Sequence, residues 1–305
     1  MKWKKLGRIF EPKGQYDWVQ TDASVPFAMH LDGDIYRIYF GGRNKENKTQ
    51  TGYIEIDIKN PTRLLRISPK PVLEVGKLGL FDDSGIRCRW IVEHDGILYM
   101  YYTGWIRGFW VPYYSAIGLA ISEDCGQTFK RYSKAPIMDR NDVDPYSTHT
   151  PCVLIEDNVW RMWYASVIDF KLENGKPMYY YHIKYAESED GIHWERKGIV
   201  CIDFKYEGET RIARPCVIKE DGIYKMWYCY GFGSYGYKIG YAESEDGIKW
   251  ERKDEEAGID VSESGWDSEM ICYPFVFKHK GRKYMLYNGN EYGKTGFGYA
   301  ILEEE

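Results

Sequence analysis

Apolar residues along this chain come in short runs, some alternating with polar residues and some continuous, with turn-forming pairs between them. The i, i+3, i+4 spacing of an amphipathic helix is absent over any useful length, so the pattern predicts strands. Five segments align: Tyr36-Arg-Ile-Tyr-Phe-Gly-Gly42, Leu98-Tyr-Met-Tyr-Tyr-Thr-Gly104, Trp160-Arg-Met-Trp-Tyr-Ala-Ser166, Tyr224-Lys-Met-Trp-Tyr-Cys-Tyr230 and Lys283-Tyr-Met-Leu-Tyr-Asn-Gly289. With Ile38, Met100, Met162, Met226 and Met285 as equivalents, the steps are 62, 62, 64 and 59 residues, which marks a structural repeat. A turn signal precedes each segment, as in Asp32-Gly33-Asp34, Asp95-Gly96 and Asp221-Gly222. Such pairs accept the positive φ of tight hairpins. Before each turn lies another short strand: Val25-Pro-Phe-Ala28, Cys88-Arg-Trp-Ile-Val92, Thr150-Pro-Cys-Val-Leu154, Arg214-Pro-Cys-Val-Ile218 and Tyr273-Pro-Phe-Val-Phe277. After the segment comes a third, typified by Ile117-Gly-Leu-Ala120, Ile183-Lys-Tyr-Ala186 and Ile239-Gly-Tyr-Ala242.

The third strand often runs into a second turn signature, seen in Ser122-Glu-Asp-Cys-Gly-Gln-Thr-Phe129, Ser188-Glu-Asp-Gly-Ile-His-Trp194 and Ser244-Glu-Asp-Gly-Ile-Lys-Trp250. The first is similar to the "Asp box" of sialidase-like propellers. Its Ser and Asp side chains bind the turn backbone, its Gly takes the left-handed position, and the aromatic opens an outer fourth strand. These carboxylates are read as structural. Repeated blades of four antiparallel strands are the propeller pattern. The chain ends just after the third strand of the last repeat, and Trp3-Lys-Lys resembles Trp194-Glu-Arg and Trp250-Glu-Arg. An N-terminal strand closing the last blade would remove the exposed sheet edges. The expectation is an all-β fold, with residues 1–305 forming a single five-bladed β-propeller domain.

Composition narrows the function. Net charge is −5, with none of the basic excess of a phosphate-tracking surface, so nucleic acid is not an expected partner. No segment has the roughly 18 apolar residues of a membrane span, and the basic N-terminus lacks the apolar stretch of a signal peptide. The seven cysteines are irregularly spaced, and Cys152, Cys216, Cys229 and Cys272 sit in apolar strands. Buried free thiols and a cytoplasmic setting are therefore expected.

In a propeller the innermost strands line a central funnel, so residues just upstream of them face the site. Counting back from Pro26, Cys88, Pro151, Pro215 and Pro274 finds Asp22, Asp83, Glu209 and Glu269 at matched positions. Arg87, Arg211 and Arg214 accompany them, and His149 precedes Pro151 by two residues. Carboxylates from separate blades converge only at the funnel, where one can protonate a leaving oxygen while another acts as base or nucleophile. Arginines can clamp an acidic substrate or set a carboxylate's charge. The bland alternative is that each acid caps a turn or pairs with a nearby arginine.

The chain resembles the five-bladed propeller glycoside hydrolase superfamily of arabinanases, fructosidases and mannoside phosphorylases, and most closely an uncharacterised bacterial glycosidase-like group. The resemblance spans the whole chain. It is carried by Val25-Pro-Phe, Tyr36-Arg-Ile-Tyr-Phe, Phe81-Asp-Asp-Ser-Gly, Tyr185-Ala-Glu-Ser-Glu-Asp-Gly-Ile, Ala213-Arg-Pro, Gly265-Trp-Asp-Ser-Glu-Met and Tyr287-Asn-Gly-Asn. It implies that Asp22 takes the base or nucleophile role and Asp83 the role of tuning the acid's pKa. Blade three departs from the family, offering Asp144, Ser147 and His149 where an acid is expected, so the general acid stays open.

The resulting expectation is a carbohydrate-active enzyme, a glycoside hydrolase with Asp22, Asp83, Glu209 and Glu269 as catalytic acids. Asp82, Arg87, Trp105, His149, Arg211 and Arg214 are expected to bind substrate. Two alternatives stand beside it: a phosphorylase or glycosyl-transferring enzyme using phosphate or an acidic sugar, and a propeller that only binds a glycan or a protein. The excursion Trp105–Ser115 could stack on sugar rings or contact a second protomer; the oligomeric state is left open. The histidines lack metal-ligand spacing and no cofactor is expected, although crowded funnel acids could take a calcium ion.

Overall fold

The computed structural model describes residues 1–233 and 235–303. The alternating runs become strands throughout, and the described residues contain no α-helix, only two short 3-10 turns at Asp254–Glu256 and Asn290–Gly293. β1 is Trp3–Phe10, and β2 to β5 are Thr21–Asp32, Ile35–Arg43, Thr49–Asp57 and Leu64–Ile67. β6 to β9 are Gly85–His94, Ile97–Arg107, Tyr113–Ser122 and Lys130–Arg131. β10 to β13 are Ser147–Glu156, Val159–Glu173, Lys176–Ser188 and Glu195–Ile202. β14 to β17 are Glu209–Glu220, Ile223–Phe232, Tyr237–Ser244 and Glu251–Arg252, and β18 to β20 are Cys272–His279, Arg282–Asn288 and Phe297–Leu302.

Within each run, successive strands pair antiparallel. The runs β2–β5 and β6–β9 join through one parallel pair, Thr49 with Gly85, and β10–β13 joins β14–β17 through Tyr181 with Arg211. The last sheet has the order β1-β20-β19-β18, so the N-terminal strand does complete it, with Trp3 opposite Leu302. The excursion expected at Trp105–Ser115 is a long hairpin, and so is the segment 169–181 in the next run. Pairing continues from Trp105 to Arg107 with Tyr113, and from Asp169 to Glu173 with Lys176.

A repeated buried latch ties the strands of a run to one another. Tyr102 donates to Asp82 at 3.1 Å, Tyr164 to Asp144 at 2.9 Å and Tyr287 to Asp267 at 3.0 Å, and Tyr228 donates to Asp254. Each carboxylate also takes a cation from its outer strand: Arg131 at 2.7 Å, Arg196 at 3.0 Å, Arg252 at 2.8 Å and Lys5 at 2.7 Å. Lys5, Arg196 and Arg252 sit two residues after Trp3, Trp194 and Trp250, which explains the likeness of those segments. The third strand must leave room for the latch. A Cβ on Gly118 would stand 2.3 Å from Tyr102, and one on Gly240 would stand 2.4 Å from the Asp254 carboxylate. In β12 the matching residue is Lys184, whose ammonium donates to Asp144 at 3.1 Å. The first run has Phe40 in place of the tyrosine and packs Trp18 against it.

The serine–aspartate turns are structural, as the sequence indicates. Ser122 accepts the Gly126 N–H at 2.9 Å, and Gly126, Gly191 and Gly247 have φ of 76°, 72° and 77°. Their carbonyls bind the preceding run: Tyr39 donates to Gly126, Tyr101 to Gly191 and Trp163 to Gly247. All seven cysteines are free, and every one except Cys125 is buried. No helix among the described residues is long and apolar enough to cross a membrane.

Asp144 is the sharpest test of the latch. Burial alone would raise its pKa, but hydrogen bonds from Ser166, Lys184 and Tyr164 and the Lys184 charge hold it below the ordinary value. The folded state thus favours the ionised form, so this stability is present above the unfolded pKa and is lost as pH falls through the folded one. Asp144→Asn leaves Lys184 and Arg196 without their counter-charge and is expected to cost about 3–5 kcal/mol by urea denaturation at neutral pH. It should also flatten the acid limb of the stability profile. A cost under about 1 kcal/mol would show that the latch is not a source of stability.

Candidate functional site

The inner strands β2, β6, β10, β14 and β18 are bulged where they meet. The register slips at Ser24/Phe27, His149/Cys152, Ala213/Cys216 and Cys272/Phe275, and in β6 at Cys88/Trp90. Val25, Thr150, Arg214 and Tyr273, each followed by proline, have φ of 60°, 51°, 58° and 56°. Each strand passes one N–H to a side chain of the neighbouring run: Val25 to Asn288 at 2.7 Å, Cys88 to Thr51 at 3.0 Å, Thr150 to Thr103 at 3.1 Å, Arg214 to Thr150 at 3.2 Å and Tyr273 to Cys229 at 2.9 Å. These links close a ring. One end of the enclosed channel is stoppered by Phe27, Trp90 and Phe275, whose ring centroids lie 4.5 to 5.5 Å apart.

Above that stopper the channel is lined by guanidinium and phenol groups. Arg87 lies 5.0 Å from the Trp105 ring, and its buried Nε has no protein acceptor among the described residues. Arg89 donates from Nε to Thr103 at 3.0 Å, while its Nη1 has no acceptor. Burial lowers the pKa of both arginines. After burial, the groups acting most on Arg87 are Tyr273, Arg43, Asp22 and Tyr113. Among the groups acting most strongly on Arg87, Arg89 and Arg214, one is a carboxylate, Asp22. It is buried, with φ of 59°, and accepts from Thr21 at 2.9 Å with Arg43 at 3.6 Å.

Arg211 forms a second cationic locus at the side of the channel. It stacks 4.8 Å from the Tyr237 ring, donates to the Tyr292 hydroxyl at 3.3 Å and to the Tyr235 carbonyl, and its Nε has no acceptor among the described residues. Burial acts against its charge, but Tyr237 and Tyr181 hold its pKa above the ordinary value. The hydroxyls of Tyr181 and Tyr237 meet each other. The charges of Arg87, Arg89 and Arg211 all act on Tyr113, which is itself exposed. His149 faces Tyr181 edge-on at 4.9 Å, and burial followed by the Arg89 charge brings its pKa down to about 3.

The other residues expected from sequence lie elsewhere. Asp82 is fully enclosed in its latch, with no face toward the channel. The Glu209 side chain is likewise fully enclosed. It is gripped by Arg252 at 2.9 Å on both oxygens and caps the Lys205 N–H at 2.7 Å. Asp83 is half-buried, accepts from the Gly79 N–H and the Ser84 hydroxyl, and lines a groove with Lys48, Leu78 and Arg107. Glu269 is exposed beside Asn290. Trp105 folds over Gly85, where a Cβ would come within 2.0 Å of its ring, so it walls Arg87 instead of standing at the rim. No group of three or more His, Cys, Asp or Glu among the described residues is placed to hold a metal ion.

Sequence reasoning placed Tyr113 in a possible sugar-stacking excursion but missed Arg89, Arg43, Tyr181, Tyr237, Tyr273 and Tyr292. The available signal was positional: Arg89 lies two residues after Arg87 on one inner strand, Tyr237 begins its third strand, and Tyr181 lies midway along β12.

No family model matches the chain. Two relatives, the uncharacterized proteins MT1551 and Rv1502 of Mycobacterium tuberculosis strains CDC 1551 / Oshkosh and ATCC 25618 / H37Rv, are each 41% identical over 303 residues, 99% of this chain and 100% of theirs. A 1,2-beta-oligomannan phosphorylase of Thermoanaerobacter sp. (strain X514) is 30% identical over 166 residues, 52% of each protein. Among solved structures, a glycoside hydrolase superposes with a TM-score of 0.77 at 17% identity, covering 99% of this chain and 92% of that one. A thermostable family-43 glycoside hydrolase superposes with a TM-score of 0.69 at 18% identity, covering 92% and 88%. The chain therefore has the fold of the propeller glycoside hydrolases.

His149 supplies a test of this electrostatic picture. The folded state holds the imidazole neutral while the unfolded chain takes up its proton near pH 6.5, so the associated stability is full above that pH and is lost as pH falls towards about 3. His149→Gln is expected to show a shallower loss of melting temperature between those limits. Identical slopes for the two proteins would contradict the assignment.

Proposed function

The chain belongs to the same family as these two mycobacterial proteins, and from that membership and the shared fold we propose that it is a carbohydrate-active enzyme that cleaves a glycosidic bond with an anion held in its channel. In this reading residues 1–305 form one domain, a five-bladed propeller, and each four-strand run is a blade. The closed ring of links between inner strands supports that count. The free thiols support a reducing, cytoplasmic setting.

The observation that carries the function is the set of buried guanidinium N–H groups on Arg87, Arg89 and Arg211 without acceptors among the described residues, with one carboxylate, Asp22, acting on Arg87. Hydrolysis through two carboxyls needs a pair of acids facing across an open site. Phosphorolysis needs only one, because phosphate is the nucleophile. Hydrogenphosphate, clamped by Arg87, Arg89 and Arg211, attacks the anomeric carbon and the bond to the leaving oxygen breaks. Asp22 relays the proton, so that the one carried in by phosphate ends on the released hydroxyl. Tyr113, Tyr181, Tyr237, Trp105 and His149 wall the sugar, and Asp83 and Glu269 lie outside this arrangement. Asp82 and Glu209 belong to the frame. The partial relationship to an oligomannan phosphorylase supports the same chemistry.

The test is incubation with a panel of oligosaccharides, 1,2-β-oligomannan included, with and without phosphate, followed by 31P NMR. A glycosyl phosphate is expected only when phosphate is present. Asp22→Asn should lower turnover by about 10²- to 10⁴-fold. Arg87→Gln should raise KM for phosphate by about tenfold or more, with less effect on the sugar's KM. Phosphate-independent sugar release would replace phosphorolysis with hydrolysis, and tight glycan binding without turnover would make the protein a binding module.

A further inference from the structure

Arg214 stands apart from the arginines used above. Its side chain is fully buried. Its Nη2 reaches only the Pro26 carbonyl at 3.4 Å, and Nε and Nη1 have no protein acceptor among the described residues. Its Cζ lies 6.0 Å from the Trp90 ring, one of the three rings that close this end of the channel. The titratable groups acting most on it are the thiols of Cys216, Cys152, Cys88 and Cys229. Burial raises the pKa of all four, to about 11 for Cys216 and about 12 for Cys88 and Cys229, so none supplies a negative charge at neutral pH. The Arg214 charge in turn helps to lower the pKa of Arg89, after burial and the Arg87 charge, so the two guanidiniums repel each other. A guanidinium does not give up its proton in a protein, and a buried charge without a counter-charge is strongly disfavoured.

We propose that the foot of the channel is a binding site for a small inorganic anion, a halide, held by the unpartnered Nε and Nη1 of Arg214. The surroundings select its chemistry. Thiols are weak donors, and Arg214 lies over the apolar Trp90 ring, so a soft, weakly hydrated monovalent ion is dehydrated here at least cost. Phosphate keeps strong donors at every oxygen only at the Arg87 level, where the channel is lined by phenols and guanidiniums. The halide neutralises one of two neighbouring cations and fixes the Arg214 bulge, and with it β14 and the position of Arg211 three residues earlier. The site is therefore structural, and it stands whether or not the channel proves phosphorolytic.

Thermal unfolding of the whole protein at constant ionic strength tests it, with sodium gluconate replaced stepwise by sodium fluoride, chloride or bromide. Chloride and bromide are expected to raise the melting temperature by about 2–4 °C for each tenfold rise above the dissociation constant, and fluoride to do so far less. Arg214→Met should abolish the difference between salts, which also exposes any general salt effect. Should that variant not fold, diffraction from wild-type crystals grown in bromide decides: an anomalous peak within hydrogen-bond reach of Arg214 upholds the site. Equal melting in all salts, or bromide only at surface positions, overturns it. Phosphate-dependent turnover measured in gluconate reports on the catalytic reading separately.

Discussion

The hydrogen bonds that pass from each bulged inner strand to the next run are the constraint on which the rest of this structure depends. A bulge leaves one N–H out of the ladder, and an unpaired buried N–H is costly. Here that N–H finds Asn288, Thr51, Thr103, Thr150 or Cys229 on the adjoining run, so a local defect becomes an inter-run tie. Thiols take part in the same way lower down, where Cys152 and Cys216 accept the N–H groups of Val217 and Val276. The φ of about 50° to 60° at Val25, Thr150, Arg214 and Tyr273 is tolerated because these ties over-determine it. The bulges also aim side chains at the axis, which is how Arg214 comes to lie in the channel.

The distribution of acids follows from the frame. Asp82, Asp144, Asp254 and Asp267 are committed to tyrosine–cation latches between second and outer strands, and Glu209 shares Arg252 with Asp254. Those acids are matched by cations within each run. The channel is not matched in this way: Arg87, Arg89, Arg211 and Arg214 face Asp22 and a set of phenols. A protein of net charge −5 thus concentrates positive potential at its axis. Low-dielectric walls focus such a field, which is the physical basis for reading the channel as an anion site.

Much of the frame was legible in the sequence. The strand repeat, the turn boxes, the free buried thiols and the closing N-terminal strand all rest on local patterns, namely alternation, Asp-Gly pairs and an aromatic two residues before a cation. The candidate site was legible only in part, because position upstream of an inner strand does not say where a carboxylate turns. Asp22 and Asp82 look alike as acids in approach segments, yet one reaches the channel and the other is enclosed beside Tyr102 and Arg131. Glu209 is captured by Arg252, 43 residues further on, a pairing that no local pattern announces. The tyrosines of the channel were hidden for the opposite reason. In a chain with 28 of them, Tyr181 and Tyr237 do not stand out until the third strands are placed beside one another.

The central claim is that the arginines of the channel hold an anion. Crystals soaked in tungstate, a heavy tetrahedral stand-in for phosphate, test it most directly through anomalous scattering. The account requires a peak bonded to Arg87 and Arg89 or to Arg211, reduced or lost in Arg87→Gln. Tungstate bound only at exposed lysines, with the channel unoccupied at saturating concentration, would contradict it.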